Sequence, residues 1–320
     1  MDALSDLIRV TRLTGGIFLD AVFSAPWCVV SQVEPEECQP WLLEARHIIS
    51  FHYVVEGALH ITVKDEPPLQ LRTGDIVMLP RNDPHVLGSA PDLVPVHLTL
   101  EPPQDGGLPR IAHGGGGAVS HIVCGFLGSD SPSNPLLATL PRLLSLNVAE
   151  SGAGDWIASS FQFAAREIGA GQLGSASIMS RLSELLFVEA LRRYVARLPQ
   201  QQQGWLSALR DPFVSRALSL MHAQPAQAWT AEELAHMVGL SRSAFAERFT
   251  ALIGQPPIQY LGQWRMQLAA QRLRASRAPL ARIAAEIGYD SEAAFSRAFK
   301  RQYGQPPAAW RTATVLREGD

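Results

Sequence analysis

Apolar and polar residues alternate with two different periods along this chain. From about residue 15 to residue 100 the apolar positions form short β-rich runs, Ile48–Val55, His60–Val63, Leu69–Leu71 and Asp75–Leu79. Turn formers separate them, at Glu56–Leu59, Lys64–Pro68, Arg72–Asp75 and Arg81–Pro84. Short strands at such regular spacing predict a sandwich or barrel. A Pro- and Gly-rich stretch from Glu101 to Ser120, containing HGGGG at His113–Gly117, is expected to leave the barrel as a mobile loop. His121–Leu127 then returns as a strand. From about Asn134 the spacing turns helical, first through Leu136, Leu137, Leu140, Leu143 and Leu144, then through Asp155–Ile168 and Ser175–Arg197. In the last of these, Ile178, Leu182, Leu185, Leu186, Leu191 and Tyr194 form an apolar stripe. The polar break LPQQQQG, Leu198–Gly204, is the candidate linker. Everything after Trp205 reads as helix.

The last third repeats itself with a period of about 50 residues. One copy runs from Leu234 to Tyr260, the other from Ile283 to Trp310. Gly239 matches Gly288, with one residue inserted just after. Phe245, Phe249, Gly254, Gln255, Pro256 and Pro257 match Phe295, Phe299, Gly304, Gln305, Pro306 and Pro307. Each copy spells helix, tight turn, helix. In the first, Thr230 and Glu233 form a capping box. Gly239 supplies the positive-φ stop, and Ser241 caps the next helix. In the second, Pro279 suits a first helical turn, Gly288 is the stop, and Asp290 or Ser291 is the cap. The Phe pairs, four residues apart, face inward. This is the helix-turn-helix pattern; the competing reading is a helical bundle made by duplication.

Between the copies, Ile258 to about Ala275 reads as one helix of roughly 27 Å, close to the ~34 Å between successive major-groove faces of B-DNA. With the Phe pairs inward, the first recognition helix presents Ser243, Ala246, Glu247 and Thr250, preceded by Arg242. The second presents Glu292, Ala293, Ser296, Arg297 and Lys300, with Arg301 beside them. Arg297 suits the two acceptors of a guanine. Glu247 and Glu292 either accept from cytosine N4 or repel DNA locally. Arg242, Lys300 and Arg301 suit phosphates. Arg265, Arg272, Arg274 and Arg277 are read either as phosphate contacts or as a solvated helix face.

Charge agrees with this division. The net charge is −3, yet from Asp211 onward there are 13 Lys+Arg against 9 Asp+Glu, a basic piece on an acidic body. No apolar run reaches the ~18 residues of a membrane span, and the N-terminus lacks a secretory pattern. Three cysteines, Cys28, Cys38 and Cys124, argue against a disulfide scaffold. A cytoplasmic location is expected.

Over about Pro212 to Thr314 the repeat resembles the AraC/XylS family. The second copy, IAAEIGYDSEAAFSRAFKRQYGQPPAAWR, carries the family's small-residue run before G(Y/F), then FxxxFK and a GxxPxxYR ending with Trp310 in place of Tyr. Glu247 stands where the family usually has Arg, which implies that Arg297 dominates specificity. The N-terminal half resembles the family's cupin-type sensor domains through FHYVVEGALHITV and through GDIVMLPRNDPH, with Gly74, Asp75, Pro80 and His85. In cupin enzymes a His pair and a Glu hold a metal. Here Glu44 to Ser50 has Glu44 and His47 but no H-x-H, so the candidate ligands are His47, His52 and His85, against ordinary barrel histidines. No cofactor is expected.

MDALSDLI and SHIVCG (Ser120–Gly125) resemble a group of reactive-chlorine-sensing regulators within the family. This resemblance implies signalling by cysteine oxidation, with Cys124 on the matching segment and Cys28 as the second candidate. A sensor cysteine needs thiolate character and access. His121, an odd number of residues from Cys124 on a strand, faces the other way. The competing reading makes all three cysteines small buried hydrophobes.

HGGGG has no accompanying G-x-S-x-G elbow, and no Walker A, CxxC or HExxH occurs; no catalytic residue is expected. The fold expected is α+β and multidomain: a cupin-like β-barrel sensor at 1–130, a helical dimerisation segment at 131–198, a linker at 199–211, and an all-α domain of two helix-turn-helix units joined by a long helix at 212–320. The expected partners are duplex DNA, RNA polymerase, a second copy of the chain, and an oxidant or small molecule as signal, with no membrane. The alternative is a metal-binding cupin enzyme fused to a DNA-binding tail.

Overall fold

A computed structural model of the chain describes residues 3–11, 13–34, 45–98, 110–129, 137, 139–147, 159–160, 163, 175–199 and 204–316. Cys38, Glu44, Leu136, most of the expected helix Asp155–Ile168 and residues 200–203 of the polar break lie outside them. The chain divides into two compact units: Thr11–Tyr194, and Met1–Val10 with Val195–Asp320.

Among the described residues the first unit has ten strands: β1 (Leu13–Ser24), β2 (Cys28–Ser31), β3 (His47–Glu56), β4 (Ala58–Val63), β5 (Leu69–Arg72), β6 (Asp75–Leu79), β7 (His85–Gly88), β8 (Arg110–Gly114), β9 (Val119–Ser129) and β10 (Leu144–Asn147). They form a six-stranded sheet, β10-β6-β3-β9-β1-β8, and a four-stranded sheet, β2-β7-β4-β5. Leu19, Ala21, Phe23, Val54, Leu59, Ile61, Val77, Leu87 and Ile122 pack into one core with residues from both sheets. β3 and β9 are buried along nearly their whole length. Strands covered on both faces carry near-continuous apolar runs rather than alternation; Ile48–Val55 is interrupted by Ser50 and His52, and both of these are buried as well.

Two expectations are overturned. Part of the supposed mobile loop, Arg110–Gly114, is an edge strand that pairs parallel to β1, from Asp20↔Arg110 to Ser24↔Gly114. Its glycines serve close approach: a Cβ on Gly114 would collide with the Ser24 backbone, and one on Gly117 would sit 2.6 Å from Ala25 O. Leu144, assigned to a helical run by its spacing, begins β10, which pairs with β6. Leu144 and Leu146 are buried while Ser145 is exposed, a period of two that a window of neighbouring leucines concealed.

The helices among the described residues are α1 (Ala3–Thr11), α2 (Ser175–Arg197), α3 (Trp205–Ala208), α4 (Pro212–Ala223), α5 (Ala231–Val238), α6 (Arg242–Ile253), α7 (Pro257–Ala275), α8 (Leu280–Glu286), α9 (Glu292–Tyr303) and α10 (Pro307–Leu316). Arg193 of α2 donates to the Asn147 carbonyl at the end of β10. In the second unit, α5–α6 and α8–α9 are the two copies of the repeat, and α7 is the expected connector, 19 residues and so about 28 Å long. Met266, Ala269, Ala270 and Leu273 of α7 share a core with Ile283, Phe295 and Phe299.

Candidate nucleic-acid interface and a buried thiol–imidazole line

Local sequence builds each recognition helix. Thr230 Oγ1 accepts from the Glu233 amide at 3.1 Å, and Glu233 accepts from the Thr230 amide at 2.8 Å. Two of the amides that a helix start leaves unpaired are thereby satisfied. α5 ends at Gly239, φ 81°. Ser241 then accepts from the Ala244 amide and opens α6. In the second copy Gly288 has φ 85°, and Ser291, rather than Asp290, caps α9 through the Ala294 amide. Phe245 and Phe249 are fully buried, edge to face at 5.6 Å, and Phe295 and Phe299 repeat the arrangement at 5.7 Å. Aromatic pairs favour this geometry because positive ring edges meet negative faces.

Burying those faces leaves the opposite ones to solvent. On α6, Arg242, Ser243, Glu247 and Thr250 are exposed and Ala246 is half-buried. On α9, Glu292, Ala293, Arg297, Lys300 and Arg301 are exposed and Ser296 is half-buried. The exposed charge is unequal. α9 offers three cations against one carboxylate. On α6, Arg248 is tied to Asp211 at 2.6 Å and lies 5.2 Å over the Phe213 ring. Asp211 also caps α4 through the Phe213 and Val214 amides. Despite the desolvation that opposes it, these contacts hold the Asp211 carboxyl below its usual range.

Three of the connector arginines considered as phosphate contacts have partners within the protein, Arg272 at its surface. Arg265 binds backbone carbonyls of Pro225 and Gln227, Arg272 pairs with Glu286 at 3.4 Å, and Arg274 lies 5.4 Å over Trp310. Arg277 is exposed. Trp310, the departure from the usual Tyr, packs edge-on against Phe299 at 5.7 Å. At the matching place in the first copy, Tyr260 accepts from Trp205 Nε1 and meets His222 Nε2 at 2.7 Å. The sequence reading missed this buried group around His222, because His222 and Trp205 lie 38 and 55 residues from Tyr260.

In the first unit the structure joins two sets of candidates that the sequence kept apart. The β3–β9 register sets His52 opposite Cys124. His52 Nδ1 lies 2.9 Å from Cys124 Sγ, and His52 Nε2 lies 2.7 Å from His85 Nε2. His85 Nδ1 in turn lies 3.0 Å from the Asp83 carbonyl. A carbonyl only accepts, so His85 carries its proton on Nδ1 and its Nε2 accepts. His52 therefore donates from Nε2, and its Nδ1 accepts the thiol proton of Cys124. The line has one direction: thiol to imidazole to imidazole to carbonyl. Burial keeps every member neutral. It lowers His52 well below its usual pKa, with the neighbouring His85 adding to the effect. Burial also lowers His85 to about 4. The Cys124 thiol is raised to about 12 by burial and then by the charge of Asp20. His121, on the other side of β9, instead holds Asp20 at 2.6 Å.

Cys124 also lines a cavity of about 80 Å³, walled mostly by apolar side chains such as Leu19, Phe23, Leu87 and Phe126, with Ser31 and Gln32 also in its wall. Gly125 beside it leaves room for Phe51, whose ring occupies the place of any Cβ there. Cys28 is buried opposite Gly88 in the other sheet, and both it and Cys124 are free thiols. The three metal candidates do not converge. His47 Nε2 lies 2.7 Å from the Pro80 carbonyl, and the two nitrogens of His52 face opposite neighbours. Among the described residues no three His, Cys, Asp or Glu side chains gather as a metal would require.

A cupin family matches residues 2–196, and a helix-turn-helix domain family matches residues 234–313. The chain is 32% identical to an AraC-like transcription regulator of Streptomyces lividans, over 97% of this chain and 98% of that one. It is 32% identical to the HTH-type transcriptional regulator AlkR of Acinetobacter baylyi, over 97% and 99%. It is 28% identical to the RCS-specific HTH-type transcriptional activator RclR of Escherichia coli, over 97% of each. No helix among the described residues is long and apolar enough to cross a membrane. With relatives matched from end to end, and a duplicated, capped helix-turn-helix behind a cupin sheet, the chain belongs to the AraC family of DNA-binding transcription regulators.

Proposed function

We propose that this regulator is a cytoplasmic activator that reads a bipartite duplex site, one half with α6 and the other with α9, under the control of its cupin unit. The observation that carries the reading is the pair of capped recognition helices, each with a buried Phe seam and an exposed polar face. α9 supplies most of the base readout through Arg297, with Lys300 and Arg301 on phosphates. On α6, Arg242 holds a phosphate, while Ser243, Ala246 and Glu247 face base edges. Glu292, Ala293 and Ser296 complete the α9 surface. Neutralising phosphates makes binding fall steeply with salt. RNA polymerase is the partner of the activating step. Two chains pair through α2, where Ile178 and Leu185, seven residues apart, are exposed by 42% and 52%. The test is selection of bound duplexes from a genomic fragment library, followed by binding measured at several salt concentrations. Absence of any enriched sequence would remove the reading.

The signal is oxidation at Cys124. Burial holds the thiol protonated, so reaction requires the proton to leave for His52 as the sulfur attacks. With a hydroperoxide as oxidant, the S–O bond forms and the O–O bond breaks. Sulfur loses two electrons to become a sulfenic acid, and the departing oxygen takes the relayed proton. The small apolar cavity admits a small neutral oxidant and excludes large or charged ones. A polar sulfenic acid in an apolar wall then disfavours the resting packing by roughly 1–3 kcal/mol, enough to shift a two-state sensor. A small ligand in the same cavity is the second reading, supported by its apolar lining. Cys124→Ala separates them: a response to oxidant that persists in this variant eliminates oxidation at Cys124. Cys28, whose thiol burial also raises, has no imidazole partner among the described contacts and is the weaker candidate.

A further inference from the structure

The two copies of the repeat use the same glycine differently. Gly239 and Gly288 both end a helix in the left-handed region, at φ 81° and 85°. Around Gly239 nothing lies within 4 Å of where a Cβ would be. A Cβ on Gly288 would sit 2.8 Å from Ala226 Cα, 2.8 Å from Ala226 O and 2.8 Å from Arg265 Nη2. Ala226 belongs to the loop between α4 and α5, just before the first helix-turn-helix. Gly288 belongs to the turn that leads into α9 in the second. The two halves therefore touch here, and Arg265 of the connector α7 occupies the junction. Its Nε donates to Pro225 O at 2.7 Å and its Nη2 to Gln227 O at 2.8 Å. Its guanidinium also lies 6.0 Å from the centre of the Tyr289 ring.

We propose that Arg265 is a positioning residue that sets the distance and rotation between the two recognition helices, and so the spacing of the two half-sites the protein accepts. A guanidinium suits this task. Its planar fork bridges two carbonyls of one loop while its face rests against an aromatic ring of the other half. Neither contact involves DNA. The second helix-turn-helix docks on the C-terminal half of α7 through Met266, Ala269, Ala270 and Leu273, and the first meets α7 around Tyr260 and Trp264, so each half is tied to the connector separately. The junction at Arg265 adds a direct tie between a loop of the first half and the turn of the second, and that tie restrains rotation of the two halves relative to each other.

The proposal rests on both helix-turn-helix copies contacting one duplex, and the experiment separates the two ideas. A bipartite operator is first selected by the full-length wild type from a random-sequence duplex library. Affinity is then measured on versions with the half-sites moved apart or together by one base pair. Each such move rotates one half-site by roughly 35° about the duplex. The wild type is expected to lose about tenfold or more for a one-base-pair change, whereas Arg265→Ala loses affinity on the selected spacing but less than about threefold on changing it. Arg265→Lys, which keeps a donor for the loop carbonyls, recovers part of the spacing penalty. Gly288→Ala, which forces the junction apart, reproduces the tolerance. Gly239→Ala carries similar backbone strain but leaves the junction intact, and so keeps the wild-type penalty. Thermal unfolding of each variant distinguishes a loosened junction from lost structure. An Arg265→Ala protein with the full wild-type penalty overturns the proposal alone. A wild type that selects only a single half-site overturns the two-unit reading, and the proposal with it.

Discussion

His222 should make the DNA-binding unit sensitive to acid. Its ring stacks on Trp264 at 3.8 Å and 14°, and its Nε2 meets the Tyr260 hydroxyl. Burial lowers its pKa to about 3, against about 6.5 in an unfolded chain. Below pH 6.5 the unfolded state therefore binds the proton and the folded state does not. The stability is fully present above about pH 6.5 and is lost as pH falls towards 3. Each pH unit in that window removes about 1.4 kcal/mol, so the loss at pH 5 is about 2 kcal/mol, a large share of a typical domain's stability. The perturbation that isolates the term is His222→Gln, which cannot titrate but keeps an amide near the Tyr260 hydroxyl. Urea unfolding followed by tryptophan fluorescence, repeated from pH 7.5 to pH 4.5, measures both proteins. At neutral pH the variant should be weaker by roughly 1–3 kcal/mol, from lost stacking and polar contact. Its decline towards pH 5 should be shallower than that of the wild type by about 2 kcal/mol. Parallel declines would refute the argument, because they would mean that His222 is already protonated in the folded protein or accessible to water.

Other expectations follow from the same geometry. Arg297→Ala should cost about 1–3 kcal/mol on the selected duplex and relax preference at one base pair; an equal loss on random duplex, read by fluorescence anisotropy, would deny it a base-reading role. Lys300→Ala should instead weaken binding to all duplexes alike and lower the slope of log K against log salt by about 0.9; an unchanged slope would remove the phosphate contact. Thr230→Ala deletes the side-chain half of the capping box, the Oγ1 that accepts from the Glu233 amide, and should cost about 1 kcal/mol by denaturant titration, whereas an effect below a few tenths would show that the cap is not what holds α5. Gly125→Ala puts a methyl group into the Phe51 ring and should destabilise the cupin unit by about 1–3 kcal/mol; a neutral result would mean that the ring yields without strain.

Which features were legible from the chain follows from how far apart the interacting residues lie. The helix-turn-helix copies were readable because their determinants are local. A cap acts over three residues, a left-handed glycine over one turn, and a Phe seam over four. Thr230, Gly239, Ser241 and the two Phe pairs accordingly take the roles their spacing implied. The connector's extent and the helix Ser175–Arg197 were readable for the same reason.

What the chain concealed depends on partners brought from a distance. Arg110–Gly114 becomes a strand because β1, about 90 residues earlier, offers it an edge. Leu144 turns from a helical to a strand residue because β6 lies beside it. Arg265 faces inward because two carbonyls some 40 residues before it converge there. Cys124 and His121 sit three positions apart and turn to opposite faces, whereas Cys124 and His52 are 72 positions apart and share a hydrogen bond. Residue type and local period determine which side chains are available and which elements form. Strand register and helix docking, set by burial over the whole molecule, decide which of those side chains meet.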